Sequence, residues 1–203
     1  MLVLVPTEIE ARPLRRLGLS IEIVGFGPVE AALNAYRLLQ GRKAPVFLVG
    51  LGGAYPGSGL KPGDLALATE EIYGDLAVCQ EHLLRDFAPG LPVKKVCPLV
   101  HPLAEKAALL LEEAGFDLEL GPFVTVSCAT RDPFRGEILA FRYSAIVENM
   151  EGFAVARVAQ EMDLPLIELR AVSNLIEDPG RPWEIDKALK RLGEALRCLR
   201  RVF

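Results

Sequence analysis

Cysteine, histidine and excess basic charge are all in short supply in this sequence, and each scarcity argues against a class of function. The four cysteines, Cys79, Cys97, Cys128 and Cys198, lie far apart and form no Cys-x-x-Cys pair. That spacing argues against a metal cage or a disulfide framework, and for buried or inert thiols in a reducing compartment. His82 and His101 lack metal-ligand spacing and read as surface residues. Lys and Arg total 23 against 27 Asp and Glu, a formal charge of −4. Such a chain has no general attraction for a phosphate backbone, so no nucleic-acid partner is expected. No apolar run approaches the ~20 residues that span a bilayer. Met1-Leu-Val-Leu-Val-Pro6 has no basic segment before its apolar run and no cleavage site after it, so it reads as a first strand rather than an export signal. The expectation is a cytoplasmic protein with no membrane attachment, metal or organic cofactor. Aromatic residues make up only 7%, so the core must be mainly aliphatic.

What is present is a regular alternation. With 203 residues and 51% hydrophobic content the chain can bury one core, and residues 1–203 read as a single domain. Short aliphatic runs predict strands over residues 2–5, 21–24, 46–49, 124–127, 145–147 and 166–172, with strand-like stretches across 65–77. Helical periods cover 8–17, 28–39, 102–114, 151–162 and 183–199. Pro28 opens its helix at the first turn, and Gly115 stops another. In the last helix Ile185, Leu189, Leu192, Leu196 and Leu199 recur at three- and four-residue steps, which marks a core-facing stripe. Alternating strands and helices predict an α/β fold, a three-layer sandwich around a central, mostly parallel mixed sheet.

Ligands of open α/β sheets sit beyond the carboxyl ends of the strands. Four segments there carry polar residues or glycines, and each has a plainer reading beside the functional one. Gly50-Leu-Gly-Gly-Ala-Tyr55 has neither dinucleotide nor P-loop spacing. It reads as a glycine-rich turn that lets a ligand approach the backbone at Gly52 and Gly53, or as a purely structural turn. Glu151 sits at a strand-to-helix junction, where a carboxylate gains from the helix dipole as a simple cap. It could instead accept hydrogen bonds from the vicinal hydroxyls of a ribose. Arg170 and Asn174 end a strand that should be buried. Asn174 could face a purine edge, since an amide both donates and accepts, or simply open an Asx-turn. Thr7 and Glu10 have capping-box spacing, and Glu10 could alternatively orient or deprotonate a water.

Taken together, these segments resemble the purine nucleoside phosphorylase/uridine phosphorylase superfamily, nucleosidase branch, over essentially the whole chain. The order is that family's: Glu8-Ile-Glu10, Gly25-Phe-Gly-Pro-Val29, Gly50–Tyr55 with Leu60-Lys-Pro-Gly-Asp64, Asn149-Met-Glu151 and Arg170-Ala-Val-Ser-Asn174. Within it the chain is most similar to the enzymes that hydrolyse futalosine in an alternative menaquinone pathway. That narrower resemblance rests on Gly53–Leu65, Glu70–Asp75, Thr125-Val-Ser127, Glu148–Gly152 and Glu168–Asn174, with Trp183 beyond. It implies a catalytic domain that binds a small purine nucleoside, needs no cofactor and forms a homodimer or higher homo-oligomer. Glu10 then matches the residue that positions the attacking water, Glu151 the carboxylate on the ribose hydroxyls and Met150 the side chain beneath the sugar. Asn174 stands where adenine-specific nucleosidases carry an aspartate. Ser173 and Arg170 match its supporting neighbours, and Gly52, Gly53, Asn149 and Ser127 are further candidate substrate contacts. Arg131 and Arg181, in loops that depart from the general nucleosidase pattern, are expected to meet a carboxylate on the substrate's tail. Thr130-Arg-Asp132, Phe153 and the 177–183 loop are the departures. The alternatives are a methylthioadenosine, adenosylhomocysteine or aminofutalosine nucleosidase, a phosphorylase, and a catalytically silent nucleoside-binding protein.

Overall fold

The structure, a computed structural model, describes residues 1–80 and 83–203; His82 therefore lies outside the described residues. In chain order the elements are β1 (Leu2–Val5), α1 (Glu8–Leu14) with a 3₁₀ turn (Arg15–Leu17), β2 (Ser20–Ile23), α2 (Pro28–Leu39), β3 (Val46–Ala54) and β4 (Leu65–Tyr73). Two short antiparallel strands, β5 (Val78–Gln80) and β6 (Leu83–Arg85), precede β7 (Val96–Pro98), α3 (Pro102–Glu113), β8 (Leu118–Thr125) and α4 (Pro133–Tyr143). The chain closes with β9 (Val147–Asn149), α5 (Gly152–Glu161), β10 (Leu166–Leu175) and α6 (Ile185–Leu199).

The long strand β3 organises the sheet. Its first half pairs in parallel with β1, with Leu2 opposite Val46 and Leu4 opposite Leu48. Its second half pairs antiparallel with β9, with Gly53 opposite Glu148. Along its other edge β3 runs parallel with β10 from Val46 to Ala54. Strand β10 also pairs with β4, β4 with β8 and β8 with β9. Five strands, β3, β10, β4, β8 and β9, therefore close on themselves. The α/β class and the mixed sheet agree with the sequence reading. The three-layer sandwich needs correction, because five strands form a ring, with β1 and β2 extending from β3 and β7 paired to β4.

Alternation along β1 and β3 sorts the core into two sides. Leu2, Leu4, Val46 and Leu48 pack with α2 and α5, whereas Val3, Val5, Phe47 and Val49 pack with α1, α3 and α6. The apolar stripe of α6 is buried as its period predicts, at Leu189, Leu192, Leu196 and Leu199. No helix among the described residues is long and apolar enough to cross a membrane.

Several local expectations change. Gly50–Gly53 is not a turn: all four residues lie within β3, and β10 likewise runs through Asn174 to Leu175. Helix α4 was not foreseen, although its start is written in Asp132, whose side chain accepts from the Phe134 N–H, and in Pro133 at the first turn. Its apolar residues mislead, since Phe134 and Phe141 are exposed and only Gly136 and Leu139 are buried. His101 is half-buried rather than superficial, and its Nδ1 caps α3 by accepting from the Leu103 N–H at 3.1 Å. Of the four thiols only Cys97 is buried; Cys79 and Cys128 are exposed.

Candidate active site

A cavity of about 280 Å³ opens along the C-terminal halves of β3 and β10 and at the carboxyl ends of β1 and β9. All four segments singled out in the sequence contribute to it. Glu10 comes from α1, Gly52 and Gly53 from β3, Asn149, Met150 and Glu151 from the β9–α5 junction, and Arg170, Ser173 and Asn174 from β10.

One end of the cavity is anionic and rigidly tied. Glu151 is buried and occupies the N-cap position of α5, yet its side chain makes no capping bond. Asn149 Oδ1 caps instead, accepting from the Glu151 N–H at 3.0 Å and the Gly152 N–H at 2.7 Å, while Thr125 Oγ1 accepts from the Phe153 N–H. Relieved of capping, the Glu151 carboxylate accepts from the Gly27 N–H at 3.1 Å and from Arg170 Nη1 at 3.4 Å. Burial raises its carboxyl above the ordinary range, a shift that Arg170 and the Gly27 amide oppose. Arg170, itself buried, donates Nε to Glu168 at 2.9 Å, Nη1 to the Leu51 carbonyl and Nη2 to Asn149 Oδ1. Burial works against its charge, but Glu168 and Glu151 outweigh it and hold the guanidinium fully protonated.

Thr7 caps α1 as its spacing predicts, but the Glu10 side chain does not return to the Thr7 N–H to close the box. Thr7 Oγ1 accepts from the Glu10 N–H, the capping contact, and donates to Glu10 Oε2 at 2.6 Å. Oε1 accepts from the Leu51 N–H at 2.9 Å. Each carboxylate oxygen thus has one fixed donor and a lone pair left over for a water in the cavity. Backbone space is what permits this crowding. A Cβ on Gly50 would lie 2.7 Å from Arg170 Nη1 and 2.8 Å from Glu10 Oε1, so only glycine fits there.

The other end sets an amide donor beside a further buried carboxylate, Glu148. Ser173 Oγ donates to Asn174 Oδ1 at 2.8 Å, which sets the amide so that Nδ2 is the group left to a ligand. Gly53 is paired with Asn174 on one side and with Glu148 on the other, so both side chains border the same bare glycine. Glu148 lines the cavity and was passed over in the sequence reading, although it lies within the quoted Glu148–Gly152 motif. It accepts from the Thr130 N–H at 2.7 Å, the Thr130 hydroxyl at 2.6 Å and the Tyr55 hydroxyl at 2.8 Å. Thr130, read as a departure from the family pattern, is therefore the residue that ties the loop before α4 to the cavity wall. Burial raises the Glu148 carboxyl against these three donors and also pushes the Tyr55 phenol up.

Three expected contacts are not brought to this cavity. Ser127 is exposed and held by the Tyr73 hydroxyl at 2.9 Å and by Asp75, which accepts its N–H at 2.8 Å. Arg131 and Arg181 line a second cavity of about 500 Å³, which shares Thr130, Asn174, Ile176 and Trp183 with the first. Arg181 is also paired with Glu184 at 2.6 Å. Arg12 and Arg15 remain outside, with Arg15 paired to Glu8, so neither supplies a cation to the pocket.

A family model described as the phosphorylase superfamily matches residues 17–203 of the chain. Futalosine hydrolase of Thermus thermophilus is 32% identical, over 98% of this chain and 94% of its own length. A 5'-methylthioadenosine/S-adenosylhomocysteine nucleosidase of Geobacillus thermodenitrificans is 28% identical over 74% of this chain and 64% of its own. Among solved structures, futalosine hydrolase of Helicobacter pylori superposes with a TM-score of 0.86 at 19% identity, covering 100% of this chain and 97% of that one. The methylthioadenosine/adenosylhomocysteine nucleosidase of the same organism gives 0.86 at 20% identity with the same coverage. At such identities the structural likeness speaks for the fold.

Proposed function

The chain belongs to the phosphorylase superfamily, and from that premise we propose that it hydrolyses the N-glycosidic bond of futalosine, releasing hypoxanthine and dehypoxanthine futalosine in menaquinone biosynthesis. The observation that carries this reading is the asymmetry of one cavity. Buried carboxylates of Glu151 and Glu10 stand at one end; at the other the donor Nδ2 of Asn174 faces the cavity, while the nearby Glu148 carboxylate is taken up by Thr130 and Tyr55. Breaking a glycosidic bond builds positive charge on the ribose and negative charge on the departing purine, and only contacts stronger in that state accelerate it. Glu151 binds the ribose hydroxyls and suits the developing cation. Met150 packs beneath the sugar, and Gly52 and Gly53 let it approach the strand. Asn174 donates to the leaving base, with Ser173 fixing the amide. Preorganised groups of this kind contribute about 10²–10³ in rate each. Glu10 orients the water, worth about 10²–10⁴ as general-base assistance.

Water rather than phosphate is the nucleophile in this reading. Arg170 is the only buried basic residue among the described ones, and it is already shared by Glu151 and Glu168. The second reading is the methylthioadenosine or adenosylhomocysteine nucleosidase, favoured by relatives of that name; Asn174 in place of an aspartate weighs against it. We take residues 1–203 as one cytoplasmic catalytic domain acting as a homodimer or higher homo-oligomer. In support of a partner surface, Ile9 and Phe26 at the cavity rim are exposed, and Val29, Leu33 and Tyr36 extend that apolar surface along α2. The tail carboxylate is assigned to Arg131 or Arg181 in the adjoining cavity.

Turnover of futalosine, inosine and methylthioadenosine by the purified protein tests this function, with Arg131→Gln and Arg181→Gln assayed alongside. Futalosine should be the best substrate, and at least one arginine variant should lose futalosine selectively over inosine by about tenfold, the worth of one charge-assisted bond. Preference for methylthioadenosine would instead establish the second reading, and equal losses on both substrates would move the tail elsewhere.

A further inference from the structure

Behind the ribose end of the cavity lies a cluster that the reaction as described leaves unused. Glu71 of β4 and Glu168 of β10 are both completely buried. They press on the same backbone atom: a Cβ on Gly152, at the head of α5, would fall 2.0 Å from Glu71 Oε1 and 2.6 Å from Glu168 Oε1. The described residues hold five buried glutamates and a single buried basic residue, Arg170. Arg170 is engaged by Glu168 through Nε and by Glu151 through Nη1, and has no such contact with Glu71. Glu71 has only neutral partners on its other sides, the Thr125 hydroxyl at 2.7 Å and the Asn149 amide. Glu168 Oε2 is the one buried side-chain polar atom among the described residues that has no partner.

Two adjacent carboxylates sealed from water will not both ionise when only one has a cation, since an isolated buried charge neutralises instead. We propose that Glu71 and Glu168 share one proton, carried by Glu71, and that the ionised Glu168 is a positioning residue that fixes Arg170 and, through it, the Glu151 carboxylate. Glu71 then donates to Glu168, supplying a donor to the acid that has an unpartnered oxygen. Burial and the neighbouring Glu168 both push the Glu71 carboxyl well up, and Arg170, Thr125 and Asn149 only partly oppose this. The Glu168 carboxyl is also raised by burial, but Arg170 pulls it back. The other titratable groups facing the pair are Glu151 and, farther off, Cys97 of β7 and Tyr55 after β3. The glycine of the Glu148–Gly152 motif acquires a reason here, because any side chain at position 152 would displace the pair.

The positioning role rests on the nucleosidase reading above, whereas the shared proton does not, so the two are tested separately. A protonated buried acid has its folded pKa above its unfolded one. Its contribution to stability is therefore complete below the unfolded carboxyl value and is lost as pH rises toward the folded value. The melting temperature of the wild type relative to Glu71→Gln should accordingly fall as pH is raised from 4.5 to 8, and infrared difference spectra at pH 7 should show a protonated-carboxyl carbonyl band that Glu71→Gln removes. In the assay, Glu71→Gln, an isosteric neutral donor, should stay within about threefold of wild type, whereas Glu168→Gln should lower kcat/KM about tenfold or more and shift its pH profile. A pH-independent difference in melting temperature, absence of the band, or failure of Glu71→Gln to fold overturns the shared proton. Equal effects of the two amides overturn the division of roles. Should Glu168→Gln not fold, the two substrate-free measurements decide alone. A band present in a protein that cleaves no nucleoside would sink the function and leave the proton in place.

Discussion

Asn174 and Glu151 carry opposite hydrogen-bonding characters at the two ends of one cavity, and each makes a prediction at the scale of a single side chain. Hypoxanthine has an oxygen at C6 and a proton on N1, whereas adenine has an amino group at C6 and a bare N1. The Asn174 amide is held through Oδ1 by Ser173, and on the proposed function its N–H₂ serves N7 and a 6-oxo oxygen. An aspartate there could donate only when protonated and would repel that oxygen. With about 1–3 kcal/mol at stake per unpaired buried group, Asn174→Asp should lose futalosine hydrolysis and move the ratio of 6-oxo to 6-amino kcat/KM by about tenfold or more toward 6-amino substrates. An unchanged ratio would mean that Asn174 does not read the base. Glu151→Gln should lower kcat/KM by about 10², or 2.7 kcal/mol, because it removes charge and keeps shape. The Gly27 N–H can still find an oxygen on the amide, so the fold should persist. Wild-type kinetics in that variant would place the ribose elsewhere.

At the scale of elements, β3 is where sequence and structure part most instructively. Its first half was legible because Val46–Val49 is apolar throughout and buried on both faces. Its second half was not, because Leu51-Gly-Gly punctuates like a turn while the chain in fact continues extended. The glycines are there for clearance. A Cβ on Gly52 would lie 2.5 Å from Val147 Cγ1 and 3.3 Å from the Glu148 carbonyl oxygen. Gly52→Ala should therefore cost about 1–3 kcal/mol by overpacking and lower the melting temperature by about 2–12 °C. An unchanged melting temperature would show that β9 yields freely and that the clearance is incidental. Helices with proline at their first turn, α2 and α3, were readable to within a residue at each end. Helix α4 carries the same signal, but its exposed phenylalanines hide its face. The four polar segments at strand ends could be located from position alone. Glu148 and Glu71 could not, because what makes them notable is a neighbour supplied by another strand.

Across the whole molecule, ring closure explains why so much charge is buried. Strands β4, β8, β9 and β10 bring Glu71, Thr125, Asn149, Glu168 and Arg170 into one network that no single segment reveals. That network supports the junction from which Glu151 projects, and its single guanidinium is fully committed there. Among the described residues the cavity is lined by no basic side chain other than this committed one, so on the proposed function the chemistry should be insensitive to phosphate. The most direct measurement is hypoxanthine release from futalosine in phosphate-free buffer containing EDTA, repeated with added phosphate, with the sugar product identified each time. Equal rates and a free anomeric hydroxyl in both cases are the predicted result. A sugar 1-phosphate, or turnover that depends on phosphate or is abolished by the chelator, would contradict hydrolysis by an oriented water.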